Sequence, residues 1–418
     1  MKFDMNNCPK VPLPELLSFV VDNRGKTVPT AENGHVLIAT NCIKNENLYP
    51  AFEKIRYLSD ETYRTWFRAH PQPGDVIFVN KGTPGRVCMV PDPVNFCIAQ
   101  DMIAFRADKN KLYNKYLFAF LRSKEMQTQI HNYNVGDVIP HFKKSFLDKL
   151  LIPLPPMEIQ RQIGDIYFDL SAKIDLNTKI NHHLEQMAQA IFKSWFVDFE
   201  PFADSDFIDS ELGEIPSGWS VHTIEYLADK VAMGPFGSNI KVETFVESGV
   251  PIISGNHLRG LYLDELGYNF ITEEHAGRLS NSLVRAGDII FTHAGNIGQV
   301  ALIPDDCDYP YYVISQRQFY LRCDKTKALP EYINYFFHSR EGQGKLLANA
   351  SQTGVPSIAR PSSHLKGIVA VLPPIEVQLK WFEAMQAMFQ TLNSNNKESK
   401  RLAELRDSLL PRLMSGVL

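Results

Sequence analysis

Two stretches of this chain open in the same way and then continue as long helices. Leu154–Gln160 reads LPPMEIQ, and Leu372–Gln378 reads LPPIEVQ. The prolines end the preceding strand, and the next forty or so residues of the first copy contain no further proline and only one glycine, Gly164. Apolar residues recur there at three- and four-residue steps, which is typical of a coiled-coil seam. Because one long amphipathic helix cannot bury its apolar stripe alone, we expect the two copies to pack together.

The apolar positions behind each motif define the expected seams. The first helix offers Ile163, Ile166, Leu170, Ile180, Leu184, Met187 and Ile191, with polar steps at Lys173 and Asn177 and with Ile174 close by. The second offers Phe382, Met385, Phe389, Leu392, Leu402, Leu405, Leu409 and Leu413. Both stripes turn polar at their midpoints, at Asn177-Thr178 and at residues 393–396, and polar residues in a seam fix its register. These midpoints meet if the helices run antiparallel. We therefore predict an antiparallel pair of helices, each roughly 60 Å long at about 1.5 Å per residue; two ordinary core helices are the alternative.

Length and composition exclude several classes of protein. A chain of 418 residues is too long for one core and should hold two or more domains. It has no apolar run near the roughly 20 residues of a membrane span, and its N-terminus lacks the apolar core of a signal peptide. The six cysteines show no CxxC spacing, so they are interpreted as reduced thiols of a cytoplasmic protein.

The net charge of −4 does not by itself suggest a nucleic-acid partner. However, six acidic residues and no basic one lie between Glu200 and Glu214. Without this stretch the rest of the chain is slightly positive, which permits local basic surfaces without demonstrating them.

An internal duplication sets the predicted architecture. Gly74–Val87 (GDVIFVNKGTPGRV) aligns without a gap on Gly287–Val300 (GDIIFTHAGNIGQV). Two further pairs keep nearly the same offset: residues 37–41 with 252–256, and residues 98–100 with 314–316. Each copy has a Gly-Asp turn, an apolar strand, a glycine-bearing loop and a second strand. We predict two duplicated α+β domains with largely antiparallel, curved sheets.

The predicted boundaries follow from the motifs. They are 1–156 for the first globular domain, 157–197 for the first long helix, 198–218 for an acidic linker, 219–374 for the second globular domain and 375–418 for the second long helix.

The order of these motifs resembles a known family. An Ile-Pro-x-Gly-Trp opening at Ile215–Trp219, a Gly-Asp-Ile-Ile-Phe strand and a Leu-Pro-Pro-x-Glu-x-Gln helix together look like the DNA-specificity subunit of a type I restriction-modification enzyme. The resemblance covers essentially the whole chain, although any one motif is weak. The first domain lacks the Gly-Trp opening and starts instead near Val11-Pro12-Leu13.

The resemblance implies a fold and a set of partners. The two globular domains would be target recognition domains separated by an antiparallel coiled coil, each reading one half of a bipartite, asymmetric DNA sequence. The helices would set the unread spacer and dock two methyltransferase subunits. ATP-dependent restriction subunits would complete the complex, in which this chain itself carries no catalytic site and no cofactor.

A search for catalytic motifs supports a non-enzymatic reading. The Asn/Asp-Pro-Pro-Tyr/Phe loop of an adenine methyltransferase does not occur in the sequence. The single Glu-x-Lys triplet of a restriction nuclease, Glu398–Lys400, falls on the second long helix, where a solvated face is expected. Residues 23–27 resemble the end of a phosphate-binding loop, but Val20 stands where that motif needs glycine. His182-His183 point in different directions on a helix, so we expect no metal site there.

Candidate DNA contacts lie on the duplicated loops. Arg, Asn and Gln side chains with paired donors and acceptors read base edges, whereas basic and small residues contact phosphates. The candidates for base contacts are Lys81, Thr83, Arg86 and Gln100 in the first half and His293, Asn296, Gln299, Gln316 and Arg317 in the second; those for phosphate contacts are Arg24, Lys26, Lys143, Lys144, Ser238, Lys241 and Arg360. An ordinary exposed polar loop is the alternative for each of them.

Four aromatic residues near the helix ends are candidate docking contacts for the methyltransferase subunits. They are Trp195, Phe196, Trp381 and Phe382, and local core packing explains them equally well.

Two other functions remain open from the sequence. One is a specificity module of a related DNA-methylation or phage-exclusion system without restriction activity. The other is a structural coiled-coil protein, which would not need two duplicated domains. Neighbouring methyltransferase and helicase-nuclease genes would favour the restriction-modification interpretation.

Overall fold

The computed structural model describes residues 7–23, 25–135, 139–265, 267–351 and 354–416. Its contacts divide the chain into two units. Unit 1 comprises Met1–Lys179 and Lys397–Leu418, and unit 2 comprises Ile180–Asn396. The division cuts through both long helices, so the predicted five-part boundaries stay a prediction. No helix of the described residues is both long and apolar enough to cross a membrane.

The N-terminal half alternates short strands with a few helices. Its strands are β1 (Lys10–Pro12), β2 (Leu17–Val21), β3 (His35–Ile38), β4 (Arg56–Leu58), β5 (Val76–Val79), β6 (Val87–Met89), β7 (Phe96–Ile98), β8 (Met102–Ala107), β9 (Asn134–Val135), β10 (His141–Phe142) and β11 (Leu151–Pro153), and its helices are α1 (Asp60–Thr65), α2 (Asn114–Arg122), α3 (Lys124–Asn132) and α4 (Met157–Phe196).

The C-terminal half repeats this order after one additional hairpin. Its strands are β12 (Phe207–Ser210), β13 (Gly213–Pro216), β14 (Ser220–Thr223), β15 (Ala228–Met233), β16 (Val250–Ile253), β17 (Asn269–Ile271), β18 (Leu283–Val284), β19 (Asp288–Thr292), β20 (Val300–Leu302), β21 (Tyr312–Ile314), β22 (Gln318–Cys323), β23 (Ala350–Ser351), β24 (Ser357–Ile358) and β25 (Val369–Leu372), and its helices are α5 (Ile224–Leu227), α6 (Glu273–Arg278), α7 (Pro330–His338), α8 (Arg340–Leu347), α9 (Pro361–Gly367) and α10 (Ile375–Ser415).

The two units share one sheet topology. Unit 1 has an antiparallel sheet in the order β2-β8-β5-β6 and a smaller sheet β4-β3-β7; unit 2 has β15-β22-β19-β20 and β17-β16-β21-β18. The parallel pair β3–β7 of unit 1 corresponds to the parallel pair β16–β21 of unit 2. The strand before each long helix pairs with the first strand of the same domain, as β1–β11 and β14–β25. The predicted duplication of an α+β domain is confirmed.

The Gly-Asp turn of the duplicated motif anchors a buried ion pair. Asp75 is almost fully buried and accepts hydrogen bonds from Arg106 Nε (3.0 Å) and Nη2 (2.8 Å). Asp288 accepts the same two bonds from Arg322, at 2.7 and 2.6 Å. Each carboxylate also accepts from a backbone N–H three residues earlier in the turn. A buried charge needs such full pairing, and this explains why the turn carries aspartate in both units.

The glutamine of the Leu-Pro-Pro-x-Glu-x-Gln motif fastens each long helix to its domain. Gln160 is buried; its Oε1 accepts from Tyr113 N–H (2.8 Å), and its Nε2 donates to the carbonyls of Lys111 and Pro155 at 3.1 and 2.9 Å. Gln378 makes the equivalent three bonds in unit 2, to backbone groups of residues 329, 327 and 373. The sequence predicted the motif but not that its glutamine fastens the helix to the domain.

The two long helices pair antiparallel within each unit. In unit 1, Asn177 Nδ2 donates to Glu398 Oε2 (2.7 Å), and Arg406 lies over the ring of Tyr167. In unit 2, Asn181 exchanges hydrogen bonds with Asn395 and Asn396 at 2.8 and 2.7 Å, while Phe192 packs on Trp381. Later residues of α4 thus meet earlier residues of α10. The predicted antiparallel pair and the meeting of its polar midpoints are confirmed.

The seam differs from the prediction at three residues. Ile180, Met187 and Leu405 are exposed, whereas Asn181 and Arg406, which were not predicted to lie in the seam, are buried beside the predicted midpoint residue Asn177. Side-chain pairing explains the exchange: the asparagines find amide and carboxylate partners on the opposite helix, so they occupy the inner positions. The periodicity counted only apolar residues and therefore placed these three on the wrong face.

The acidic segment before the second domain is folded. Phe207–Ser210 and Gly213–Pro216 form an antiparallel hairpin. Before it, the rings of Phe199 and Phe202 pack edge-on against Trp219, at centroid distances of 5.4 and 5.0 Å. Apolar contacts within unit 2 therefore hold this segment in spite of its charge.

Candidate nucleic-acid interface

Three segments of unit 1 come together around its glycine loop. They are the glycine loop itself (Asn80–Arg86), the turn Ala99–Met102 and the segment Ile139–Phe142, and we call them loop cluster 1. Asn80 N–H donates to the carbonyl of Asp101 (3.0 Å), and the Asn80 carbonyl accepts from Phe142 N–H (2.8 Å). Gly82 N–H donates to the carbonyl of Pro140 (2.9 Å). Backbone hydrogen bonds therefore join the three segments of the cluster.

Unit 2 builds loop cluster 2 with the same three bonds. It consists of His293–Gln299, Ser315–Gln318 and Val355–Ile358. His293 N–H donates to the carbonyl of Arg317, the His293 carbonyl accepts from Ile358 N–H, and Gly295 N–H donates to the carbonyl of Pro356, each at 2.9 Å. The backbone frame of the two clusters is therefore the same, whichever side chains they carry.

The glycines of both loops have matching left-handed backbone conformations. The φ angle is +88° at Gly82 and +87° at Gly295, and it is +91° at Gly85 and +83° at Gly298. Residues with a Cβ are strained at such angles. The shared glycine pattern in the sequence is thus a requirement of the loop conformation.

A glutamine behind each loop holds it to the neighbouring helix. Gln127 Nε2 donates to the carbonyls of Gly85 (2.9 Å) and Leu121 (2.6 Å). Gln343 Nε2 donates to those of Gly298 (3.0 Å) and Phe337 (2.6 Å). Sequence reasoning missed both residues. The signal that could have found them is the equal spacing from the helix-capping Ser123 and Ser339, four residues earlier in each half.

Loop cluster 1 brings together most candidates of the first half. Lys81 is exposed at the start of the glycine loop. Arg86 is half-buried, and its Nη1 donates weakly to the Ile43 carbonyl at 3.5 Å. Thr83 Oγ1 and Gln100 Oε1 are buried and make no hydrogen bond within the described part of the chain. Within the described residues, the cluster therefore offers the exposed Lys81 and two buried polar atoms that lack a hydrogen-bond partner.

The basic candidates outside the loops of unit 1 differ in their availability. Lys143 and Lys26 are exposed. Lys144 forms an ion pair with Asp22, so its charge is already balanced. Arg24 lies outside the described residues.

Loop cluster 2 carries different chemistry on the same frame. Asn296, Gln316 and Arg317 are exposed. The Arg317 guanidinium lies beside Gly295, where an added Cβ would be 3.4 Å from Nη1. These three side chains are the most accessible hydrogen-bonding groups of the cluster's candidates.

The other two candidates of loop cluster 2 are partly engaged within unit 2. His293 Nε2 donates to the Gln316 carbonyl at 3.2 Å. Burial lowers the pKa of His293, although the bond to Gln316 opposes this, so the ring is neutral at pH 7. Gln299 Oε1 accepts from the Thr292 hydroxyl at 3.3 Å. To contact a base edge, His293 would have to give up its bond to the Gln316 carbonyl, and Gln299 would have to give up its bond from Thr292.

The remaining candidates of unit 2 lie beside the cluster. Arg360 is exposed and has a left-handed backbone (φ 48°) directly before α9. Lys241 is exposed on a separate turn that Thr244 closes. The backbone of Ser238 belongs to a short 3₁₀ turn, and its side chain lies outside the described structure. No contact joins Lys241 to loop cluster 2 among the residues that the structure describes.

The catalytic candidates rejected from the sequence have structural roles or none. Glu398 bonds to Asn177 and Lys173 between the long helices, and the bond from Asn177 chiefly lowers the pKa of this carboxyl. Among residues 7–23, 25–135, 139–265, 267–351 and 354–416, no group of three His, Cys, Asp or Glu side chains is placed to hold a metal ion.

Several known proteins are similar in sequence to this chain. A family model described as the type I restriction modification DNA specificity domain matches residues 24–186. The specificity subunit of the type I restriction enzyme MjaIX from Methanocaldococcus jannaschii is 25% identical over 323 residues, which cover 74% of this chain and 70% of that protein. The HindI specificity subunit from Haemophilus influenzae is 23% identical over 405 residues, covering 82% of this chain and 86% of that protein.

Residues 24–186 match the type I restriction modification DNA specificity domain, and most of the chain is similar in sequence to type I restriction enzyme specificity subunits. The crystal structure of such an S subunit from M. genitalium has the same fold, with a TM-score of 0.56 at 14% identity over 98% of this chain and 96% of that one. Specificity subunits are non-catalytic parts of type I restriction enzymes, and they act on DNA together with other subunits. The predicted family and the prediction that the chain is not an enzyme by itself are confirmed.

Two of the four aromatic docking candidates are core residues. Trp381 is 0% exposed and Phe196 is 5% exposed, and their rings lie 5.5 Å apart among Phe192, Tyr332 and Tyr335. Trp195 and Phe382 are half-buried against the same core. A fully buried side chain cannot contact a partner, so core packing accounts for Trp381 and Phe196, and neither is retained as a docking residue.

Proposed function

We propose that unit 1 reads one half of a bipartite, asymmetric DNA target and that unit 2 reads the other half. The observation that carries this proposal is the pair of loop clusters. Three equivalent backbone bonds hold the same frame in both, while the side chains on the frame change from Lys81, Thr83 and Asp101 to Ala294, Asn296 and Arg317. Different hydrogen-bonding groups on one frame are suited to different base edges.

The proposed contacts divide into two kinds. Exposed Lys81 in unit 1 and exposed Asn296, Gln316 and Arg317 in unit 2 are proposed to reach base edges, with the half-buried Thr83, Arg86, Gln100, His293 and Gln299 beside them. Exposed Lys26, Lys143, Lys241 and Arg360 are proposed to contact phosphates, which position a protein without selecting bases. Lys144 would first have to leave Asp22.

The long helices are proposed to dock two methyltransferase subunits, one at each unit. Both helices display large apolar residues that the described chain leaves more than one third exposed: Leu176 and Leu405 in unit 1, and Ile180, Met187 and Leu379 in unit 2. Exposed apolar patches on a helix favour contact with a protein partner. ATP-dependent restriction subunits would join this assembly in the cytoplasm, and an assembly that methylates without them is the alternative.

The length of the helices is proposed to set the number of unread base pairs between the half-sites. Helix α4 runs unbroken from Met157 to Phe196 through the boundary between units, and α10 does the same from Ile375 to Ser415. Four inserted residues lengthen a helix by about 6 Å. An insertion of this kind in both helices should therefore lengthen the unread gap and leave both half-sites unchanged.

Sequencing of methylated adenines tests the proposal directly. Cells with the gene should carry a bipartite methylated motif that disappears when the gene is deleted; an unchanged methylome would refute the proposal. Replacing residues 1–150 by the corresponding domain of another specificity subunit should change one half of the motif only. Cleavage of unmethylated DNA by the purified complex distinguishes a restricting from a solely methylating system.

A further inference from the structure

We propose that Ile139 in unit 1 and Val355 in unit 2 are apolar DNA contacts that the two loop clusters have in common, and that they add affinity to each half-site without selecting its bases. This inference rests on the proposed function, since it requires both loop clusters to face DNA. It differs from the polar candidates above because a hydrophobic side chain forms no hydrogen bond to a base edge.

The two residues occupy the same place in the two units. Ile139 precedes Pro140 in the connection from β9 to β10, and Val355 precedes Pro356 in the connection from β23 to β24. Ile139 is 55% exposed and Val355 is 64% exposed. No other part of unit 1 or unit 2 within the described residues covers them, although both are large and branched at Cβ.

Backbone bonds on either side fix the position of each residue beside its glycine loop. The neighbouring Pro140 carbonyl accepts from Gly82 N–H at 2.9 Å, and the Pro356 carbonyl accepts from Gly295 N–H at 2.9 Å. Isolated bridges also pair Lys81 with His141 and Ala294 with Ser357. Any duplex that contacts the side chains of the glycine loops would therefore also meet these apolar residues.

A single exposed apolar residue needs no explanation on a protein surface. The repetition does need one, because most of the polar neighbours have changed, although Gln100 is kept as Gln316. Within the same frame, Asn80 corresponds to His293, Lys81 to Ala294 and Asp101 to Arg317. Base-reading groups should change between half-sites of different sequence. An apolar group that contacts the faces of stacked bases or the deoxyribose can stay the same, since these features are present at every step.

The chemistry of such a contact is known in general terms. Branched apolar side chains can press between base steps or against sugars in a groove, and they gain free energy by leaving water. A contact with the methyl group of thymine would instead distinguish one base pair from the others. The shared apolar character of Ile139 and Val355 favours the first kind of contact, which makes no distinction between the half-sites.

Serine substitutions test the inference in the complete complex with its methyltransferase subunits. Ile139→Ser and Val355→Ser should each raise the Kd for a duplex carrying the methylated motif by about three- to tenfold, the range expected for loss of one partly buried aliphatic contact. The dependence of Kd on salt should stay unchanged, because no phosphate contact is lost. The methylated motif should also stay the same in both halves.

Two further variants make the result interpretable. Ile208→Ser removes a branched apolar residue that is 44% exposed on the hairpin β12–β13, and this variant should bind DNA as the wild type does. Lys81→Ala should weaken binding in a different way, either by reducing the salt dependence or by relaxing one half-site. Circular dichroism and assembly with the methyltransferase subunits show that each variant is folded.

The outcomes separate this inference from the proposed function. If Ile139→Ser or Val355→Ser binds as tightly as the wild type, or if either variant alters the bases of its half-site, the shared apolar contact is refuted while the bipartite motif remains. If the wild-type complex produces no bipartite motif, the proposed function itself fails. Equal weakening by both substitutions with an unchanged motif supports the inference.

Discussion

Loop clusters 1 and 2 have the same backbone and different chemistry, and the contrast extends below the loops. Arg122 ends α2 in unit 1, and its buried guanidinium donates to the carbonyl of Val87 (2.9 Å) and lies over the ring of Phe118. His338 ends α7 in unit 2 at the corresponding position; burial lowers its pKa to about 4, an effect that the Val300 backbone opposes. One frame thus accommodates a buried cation in unit 1 and a neutral ring in unit 2. The frame therefore depends on backbone bonds and anchors, while other positions are free to change.

Breaking the buried ion pairs of the Gly-Asp turns should lower the free energy of unfolding most, and by similar amounts in the two units. Asp75→Ala and Asp288→Ala each leave a guanidinium without its carboxylate and a turn N–H without its acceptor. Each should lower the free energy of unfolding by about 3 kcal/mol. Urea unfolding measures the loss, with exposed Asp204→Ala as the control. A marked inequality between the two variants would show that the frames are not energetically equivalent.

Substitution of the glutamines behind the glycine loops should cause the next largest loss of stability. Gln127→Leu and Gln343→Leu each leave two backbone carbonyls without their donor, which should cost about 2 kcal/mol. Each variant should also weaken DNA binding by the complex, since the loop is held less firmly, while the methylated motif stays unchanged. Gln129→Leu, on the same helix as Gln127, is the matched control. A changed motif would instead mean that the glutamine reads a base.

The Asp101–Arg317 difference offers a test of chemistry on a fixed frame. Arg317→Gln should reduce discrimination at one position of the second half-site by about 1–2 kcal/mol, and the first half-site should be unaffected. Asp101→Asn should have no effect on the second half-site. Methylome sequencing of cells with each variant measures both. An alteration in the half-site assigned to the other unit would contradict independent reading.

The neutral, buried His338, which stands where unit 1 has Arg122, predicts a smaller effect on stability that depends on pH. The folded pKa of His338 is below its unfolded value near 6.5. The unfolded chain therefore takes up a proton first as the pH falls, and stability is lost between pH 6.5 and about 4. The loss should reach about 1 kcal/mol at pH 5.5. His338→Gln should reduce this pH dependence in thermal unfolding, whereas a profile identical to the wild type would rule out His338 as its source.

The sequence predicted those features that repeat along the chain. The duplication, the antiparallel helices and the glycine loops all depend on local patterns that occur twice, and each was visible in Gly74–Val87, Gly287–Val300 or the Leu-Pro-Pro motifs. The roles of Gln160 and Gln127 were not predictable from periodicity, because their partners lie 47 and 42 residues away. The exposure of Met187 and the burial of Asn181 were also missed, since only the packed pair of helices decides which polar groups find partners.

The candidate DNA-contacting residues could be nominated but not ranked from the sequence. Lys81 and Lys144 look alike in a sequence, yet Lys144 is neutralised by Asp22, more than a hundred residues earlier. Likewise Trp381 and Trp195 are equally plausible docking residues until burial separates them. Availability of a side chain is a property of its three-dimensional neighbours, and the pattern of residue types does not contain it.

Each unit combines the start of its own long helix with the end of the other one. Leu410 and Leu413, close to the C-terminus, belong to the same apolar core as Leu117 and Phe118. A truncation that removes Leu410 and Leu413 would therefore damage the core of unit 1, although these residues lie far from Leu117 and Phe118 in the sequence. Unit 2, Ile180–Asn396, would keep all of its own residues.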